Sequence, residues 1–250
     1  FKQKTAYEIA DRDWSSDVLF RSILNTLEQG GLRVALAAPT GRAAKRITET
    51  SHHPASTIHR LLEYYFAEEE NLMRFGKTEE DPLEYDAVIV DEASMIDLML
   101  MDGLSSALRT GTRLILVGDA DQLPSVGAGN VLRDIIDSEY VYVTQLKEIF
   151  RQARESLIVV NAHRINRGEL PAANERDRDF FFLKCHEEET MAETILDLCC
   201  KRLPSHYEGC DPVRDIQVLT PVRKGRLGCH ELNRRDRKST RLNSSHGRRS

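Results

Sequence analysis

Asp91-Glu92 stands directly after the run Ala87-Val88-Ile89-Val90, and Gly118-Asp119-Ala120-Asp121-Gln122-Leu123-Pro124 directly after Arg113-Leu114-Ile115-Leu116-Val117. An aspartate at the end of a buried strand can hold Mg²⁺ through its water shell, because that ion takes hard oxygen ligands and retains water. A glutamate beside it can polarise a water for attack on phosphorus. The amide of a glutamine on the second loop can touch a phosphate oxygen and register its loss. Neither run is specific alone. An acidic pair also suits a solvated turn, and glycine and proline shape many ordinary loops. The four apolar β-formers before Asp91 and the small Ala93 after Glu92 favour the chemical reading.

The elements that must position these groups are read from apolar patterning. Ile23, Leu24 and Leu27 have helical spacing, and Gly30-Gly31 ends that helix. Arg33 to Ala38, Ala87 to Val90 and Arg113 to Val117 are short, nearly continuous apolar runs of the kind found in buried parallel strands. Val141 to Gln145 reads as a fourth strand. Helices are predicted over Arg42–Thr50, Thr57–Phe66 and Ile96–Leu108, with a polar loop or small hairpin over Ala67–Glu84. Strands alternating with helices imply an α/β fold, a parallel sheet with helices on both faces. In such sheets function gathers at the carboxyl ends of the strands, where Thr40, Asp91-Glu92 and Asp119 to Gln122 all fall. Beyond Arg151 a helix over Ser156–Arg167, strands over Phe180–Leu183 and Ile216–Leu219, and a helix over Met191–Arg202 suggest the beginning of a second α/β domain.

The composition, 40% hydrophobic and 30% charged over 250 residues, is that of a folded protein with a buried core. No run of eighteen apolar residues and no secretory signal is present, so a cytoplasmic protein with no membrane partner is expected. The five cysteines lack CxxC pairing and read as reduced thiols. A net charge of −5 means that any nucleic-acid binding must come from local basic groups on an acidic body.

Both ends read differently from the middle. Residues 1–22 show no regular period, and residues 236–250 are Ser, Arg and Asn with almost nothing to bury. Asp236 to His246 resembles a translated sequencing adapter, and the opening stretch resembles similar debris. The expected organisation is therefore a non-native segment 1–22, a first domain 23–150, a partial second domain 151–235 and a non-native tail 236–250. The basic tail is accordingly not counted towards DNA binding.

Five segments occur in order: Ala38-Pro39-Thr40-Gly41-Arg42-Ala43-Ala44-Lys45-Arg46, then Thr57 to Leu62, Val90 to Asp97, Gly118 to Gly129, and Phe150-Arg151-Gln152. Together with Leu219 to Gly225 this set resembles the motifs of RecD-like superfamily 1 DNA helicases, of the exonuclease V alpha-subunit kind. The likeness covers essentially all of 23–235. It implies a RecA-like P-loop NTPase domain, the beginning of a second RecA-like domain, and ATP and Mg²⁺ as cofactors. Asp91 would be the magnesium-side residue, Glu92 the catalytic base and Gln122 the γ-phosphate sensor. Arg151 would stabilise transition-state charge. Thr40, Arg42, His59, Arg60 and Arg223, with Lys224 beyond it, would lie along a single-stranded DNA track that is read without regard to sequence. The segment between Leu62 and Asp86 falls where related motors insert a duplex-splitting hairpin.

A phosphate-cradling loop of the form GxxxxGK[ST] is absent. Gly76-Lys77-Thr78 does not qualify, since the required earlier glycine is Asn71. The expected function is thus that of a fragment of an ATP-dependent helicase moving 5′ to 3′ on single-stranded DNA, unwinding duplex in repair or recombination, and inactive in ATP hydrolysis by itself. Single/double-strand junctions and nuclease-complex subunits are the expected partners. A relaxase-linked helicase and a non-hydrolysing DNA-binding or scaffold module are the alternatives. A non-helicase P-loop ATPase is disfavoured by Phe150-Arg151-Gln152 and Leu219 to Gly225.

Overall fold

A computed structural model describes residues 14–68, 72–146, 156–172 and 179–246, with side chains between 20 and 237. The chain divides into two compact units, Phe1–Glu148 and Ile149–Ser250.

The first unit is built on a four-stranded, all-parallel sheet. Its strands are β1 (Val34–Ala38), β2 (Ala55–Thr57), β5 (Ala87–Val90) and β6 (Arg113–Leu116), in lateral order β2-β1-β5-β6. Successive residues of a strand face opposite sides of the sheet, and both sides are covered. Ala35, Ala37, Val88 and Val90 pack with α3 (Ile58–Leu61), α4 (Leu98–Ser106) and α5 (Val131–Asp137). Leu36, Ala38 and Ile89 pack with α1 (Trp14–Gln29) and α2 (Gly41–Ser51). Burial on both faces explains why these strands read as unbroken apolar runs rather than alternating ones.

The fold departs from the sequence expectations at several points. Helix α1 begins at Trp14, not Ile23, and Phe20 is buried with Leu24 against the sheet, so the helix runs across the expected seam. The helix expected over Thr57–Phe66 stops after Leu61. Glu63 takes a left-handed φ of 54°, and the Leu62 carbonyl accepts the N–H groups of Gly76 and Lys77 in place of a helical partner. Beyond it the chain forms an antiparallel hairpin, β3 (Tyr65–Ala67) and β4 (Leu72–Arg74). Val141–Gln145 is not a strand. Its residues are exposed, and β6 has no outer neighbour in the sheet among the described residues.

In the second unit the described residues form helices only: α6 (Leu157–Asn166), α7 (Glu188–Asp197), α8 (Leu203–His206) and α9 (Cys229–His246), with a π-helical segment, Leu198–Arg202, between α7 and α8. The strands expected over Phe180–Leu183 and Ile216–Leu219 are absent, and these segments are largely exposed. An extended segment without a partner to bond to gains no strand stability. Helix α9 continues through 236–246, where composition alone suggests disorder. Buried Asn161 ties α6 to the following turn, donating to the Ala172 carbonyl at 2.6 Å and accepting its N–H at 2.8 Å. The five cysteines are free. Burial, with Asp236 beside it, pushes the Cys200 thiol up to about 11.

Phe20→Ala removes a buried ring from the α1 face and should lower the stability of the first unit by about 3 kcal/mol, measured by urea unfolding. In the second unit Glu231 pairs with Arg234 and Arg235, and Arg235 reaches Glu189 on α7. The arginines hold the Glu231 carboxyl down at about 2, against an ordinary 4.5. A depressed carboxylate stabilises above its unfolded value and loses that contribution as pH falls. Helix α9 should therefore lose stability between roughly pH 4.5 and 2, modestly because its pairs are exposed. Thermal melts at stepped pH should show this dependence flattened in Glu231→Gln.

Candidate functional site along the carboxyl ends of the sheet

Parallel pairing with a fixed register brings four strand ends side by side. Ala38 of β1 is level with Thr57 of β2, Ala37 with Val90 of β5, and Val90 with Leu116 of β6. The residues next in the chain after each strand therefore emerge at the same rim: His59 and Arg60 after β2, Thr40 and Arg42 after β1, Asp91 and Glu92 after β5, Asp119 and Gln122 after β6. With strands about 4.8 Å apart, the outer two loops arise roughly 14 Å from one another.

Each end is held by local chemistry. Thr40 is the N-cap of α2, its hydroxyl accepting the Ala43 N–H at 3.2 Å. That capping role was not part of the sequence expectation, and it leaves the hydroxyl proton available. Arg42 is exposed in the first turn of α2. Thr57 caps α3 in the same manner, and His59 and Arg60 project as exposed residues of that short helix. His59 lies edge-on to Tyr64, with ring centroids 5.1 Å apart, and Tyr64 stacks at a tilt on Phe75 at 4.9 Å.

The acidic end is the most constrained. The Asp91 N–H donates to the Ala37 carbonyl at 3.0 Å, continuing the ladder one residue past the strand. Glu92 then turns sharply, with φ 55° and ψ 38°, its N–H donating to Asp91 Oδ1 at 2.8 Å. The Ala93 N–H donates to the Val117 carbonyl at 2.9 Å, so the turn after β5 rests on the end of β6. Gly118 is required by that contact, since a Cβ there would come within 2.9 Å of the Ala93 nitrogen. Burial pushes the Glu92 carboxyl above the usual glutamate range. Asp91 and Asp119 push it further, while Arg46 on α2 opposes them.

The donor set suits Mg²⁺. Two carboxylates stand at the end of one strand and a third, Asp119, lies close enough to act on Glu92. Among the described residues no group of three or more Asp, Glu, His or Cys forms a closed metal cage. A magnesium held here would take one or two carboxylates and complete its shell with water and phosphate oxygens, its usual arrangement beside nucleotides. The Ser94 hydroxyl, two residues after Glu92, is buried and has no hydrogen-bond partner among the described residues, which is uncommon for such a group.

Of the sequence-predicted residues, Asp91, Glu92, Gln122, Thr40, Arg42, His59 and Arg60 share this rim. Arg151 lies outside the described residues. Arg223 and Lys224 are exposed in the second unit. Lys77 forms ion pairs with Asp81 at 2.8 Å and Glu63 at 3.8 Å, a surface arrangement unlike a phosphate loop. Sequence reasoning missed Arg46 and Gly118. Arg46 sits within the basic run that opens α2, and only the fold brings its charge to bear on Glu92. Gly118 carried a signal, a glycine at the first position after a buried strand.

A family model described as an AAA domain matches residues 18–188. The ATP-dependent RecD2 DNA helicase of Deinococcus radiodurans is 35% identical over 213 residues, 85% of this chain and 27% of that protein. The RecBCD enzyme subunit RecD of Mycobacterium tuberculosis is 43% identical over 121 residues, 42% of this chain and 20% of that protein. Among solved structures, the Pif1 helicase from Candida albicans aligns over 72% of this chain and 48% of its own, at 22% identity and a TM-score of 0.46. The chain thus spans about a quarter of the length of these curated relatives. By its matched family model this chain belongs to the AAA domain family, and in sequence it is similar to RecD and RecD2 helicases.

Proposed function

We propose that this chain carries the magnesium-and-water half of an ATP site and the adjoining single-stranded DNA track of a helicase motor. The observation that carries the reading is the lateral order of the strand ends: basic and hydroxyl groups at β2 and β1, carboxylates and an amide at β5 and β6. In this reading Asp91 would hold Mg²⁺. Glu92 accepts a proton from the attacking water, helped by a carboxyl already shifted upward. Gln122 contacts the γ-phosphate. Arg151 neutralises charge that develops during transfer. Bound ATP and Mg²⁺ supply the phosphoryl chemistry, and the residues of this chain orient water and accept its proton.

Thr40, Arg42, His59 and Arg60 bind the phosphate backbone of single-stranded DNA, and Arg223 of the second unit is a further DNA-binding residue. Movement from 5′ to 3′, duplex unwinding in repair or recombination, action at single/double-strand junctions and assembly with nuclease subunits belong to the same proposal. They draw on a relative named as a DNA helicase and another named as a RecBCD subunit. Because GxxxxGK[ST] is absent from the sequence, the chain by itself binds DNA without turning over ATP.

Fluorescence anisotropy with a labelled oligothymidine tests the DNA half. Binding should weaken steeply with salt, and Arg42→Ala and Arg60→Ala should each lower the salt slope by about one. Salt-independent binding, or none, would remove the track. A phosphate-release assay tests the other half: no stimulated turnover is expected, and robust single-strand-dependent hydrolysis would show that the phosphate cradle has been misread.

A further inference from the structure

The loop after β6 does more than present Gln122. Its continuation, Ser125 to Gly129, folds back onto the start of α4. The Ser125 hydroxyl bridges the carbonyls of Gly127 and Gly129 at 3.0 and 3.2 Å, closing the loop on itself. The Leu98 N–H donates to the Ala128 carbonyl at 2.9 Å. Asp97 caps α4 by accepting the Leu100 N–H at 2.8 Å, and its carboxylate occupies the space a Gly127 side chain would need. A Cβ on Gly127 would sit 2.1 Å from Asp97 Oδ2, and one on Gly129, where φ is 98°, would sit 3.3 Å from the Leu98 Cβ. Loop and helix start are therefore in contact with no spare room.

The body of α4 is equally tight. Gly103 is buried, and a Cβ there would lie 2.4 Å from Phe75 Cε2. The Phe75 ring stacks on Tyr64, which meets His59. Between these contacts α4 is a nine-residue helix, about 13 Å long, seated on the core by Leu100 and Leu104. Close-packed contacts with no void pass a displacement on instead of absorbing it.

We infer that α4 is a rigid lever: it couples the Gln122 loop, through the Asp97–Gly127 clasp, to the His59 aromatic cluster, through Gly103 and Phe75. As communication between nucleotide and DNA the inference rests on the function proposed above, whereas the mechanical coupling itself does not. Loss of a γ-phosphate contact at Gln122 would shift the loop, tilt α4 and move the ring stack that supports His59 and, beside it, Arg60. A coupled element of this kind is established by showing that a change at one end is felt at the other, and felt through the intervening contact.

NMR on the intact chain decides the matter. Four proteins are compared: the unaltered chain, Gly127→Ala, Phe75→Ala, and the pair together. The lever predicts that Gly127→Ala moves the His59 ring resonance, and that the same substitution no longer moves it once Phe75 is alanine. The inference is overturned if the Asp97 and Leu98 amides move while His59 stays in place. It is equally overturned if His59 moves by the same amount in both backgrounds. Should circular dichroism show Gly127→Ala unfolded, Asp97→Ser replaces it, keeping a side-chain cap for α4 while removing the carboxylate from Gly127. The same two comparisons then decide. Failure of the functional reading is separately visible: a chain that binds no oligothymidine loses the DNA track, while the His59 resonance still reports whether the lever exists.

Discussion

Burial of a parallel sheet on both faces is the constraint that governs the rest of the first unit. β5 is fully buried along its whole length, and its neighbours β1 and β6 are level with it. Because the pairing is parallel and in register, every strand delivers its next residues to one rim. Polar groups cannot be placed within such strands without leaving backbone or side chain unsatisfied. They accumulate at the first positions beyond, where Asp91, Thr40 and Asp119 stand. The site is thus a by-product of how the core must be built, and its electrostatics arise from adjacency. Glu92 is shifted upward because burial and neighbouring carboxylates act on it together.

Much of this is legible in the chain itself. β1, β5 and β6 announce themselves as short apolar runs, and α2 by its spacing. The features that escape are those that depend on a distant partner. β2 is three residues of Ala, Ser and Thr, with no pattern of its own, and exists because β1 offers it an edge. The helix expected over Thr57–Phe66 breaks because Gly76 and Lys77, far along the chain, claim the Leu62 carbonyl. Conversely, Val141–Gln145, Phe180–Leu183 and Ile216–Leu219 have strand-forming composition and no strand beside them among the described residues. Composition gives no sign of the helical turns at 14–22 and 236–246, where α1 and α9 reach into segments with no regular period or with little to bury.

The site residues divide along the same line. Asp91 and Glu92 can be picked out because they come directly after a recognisable strand. Arg46 cannot, since the sequence shows only a basic helix start, and its action on Glu92 depends on how α2 lies across the sheet. The tight glycines are intermediate. Gly118, Gly127 and Gly129 are visible as glycines, but which atoms exclude a Cβ at each is a property of the packed turns.

The left-handed backbone at Glu92 has an evolutionary consequence. For a residue with a Cβ this conformation is disfavoured by roughly 1–2 kcal/mol, and glycine would occupy it without strain. The same exchange would delete the carboxylate. At this position selection for a more robust fold and retention of a carboxylate pull in opposite directions. Relatives with no use for a carboxylate here would be free to drift towards glycine while keeping the sheet intact, so a side chain retained at position 92 marks a demand other than folding.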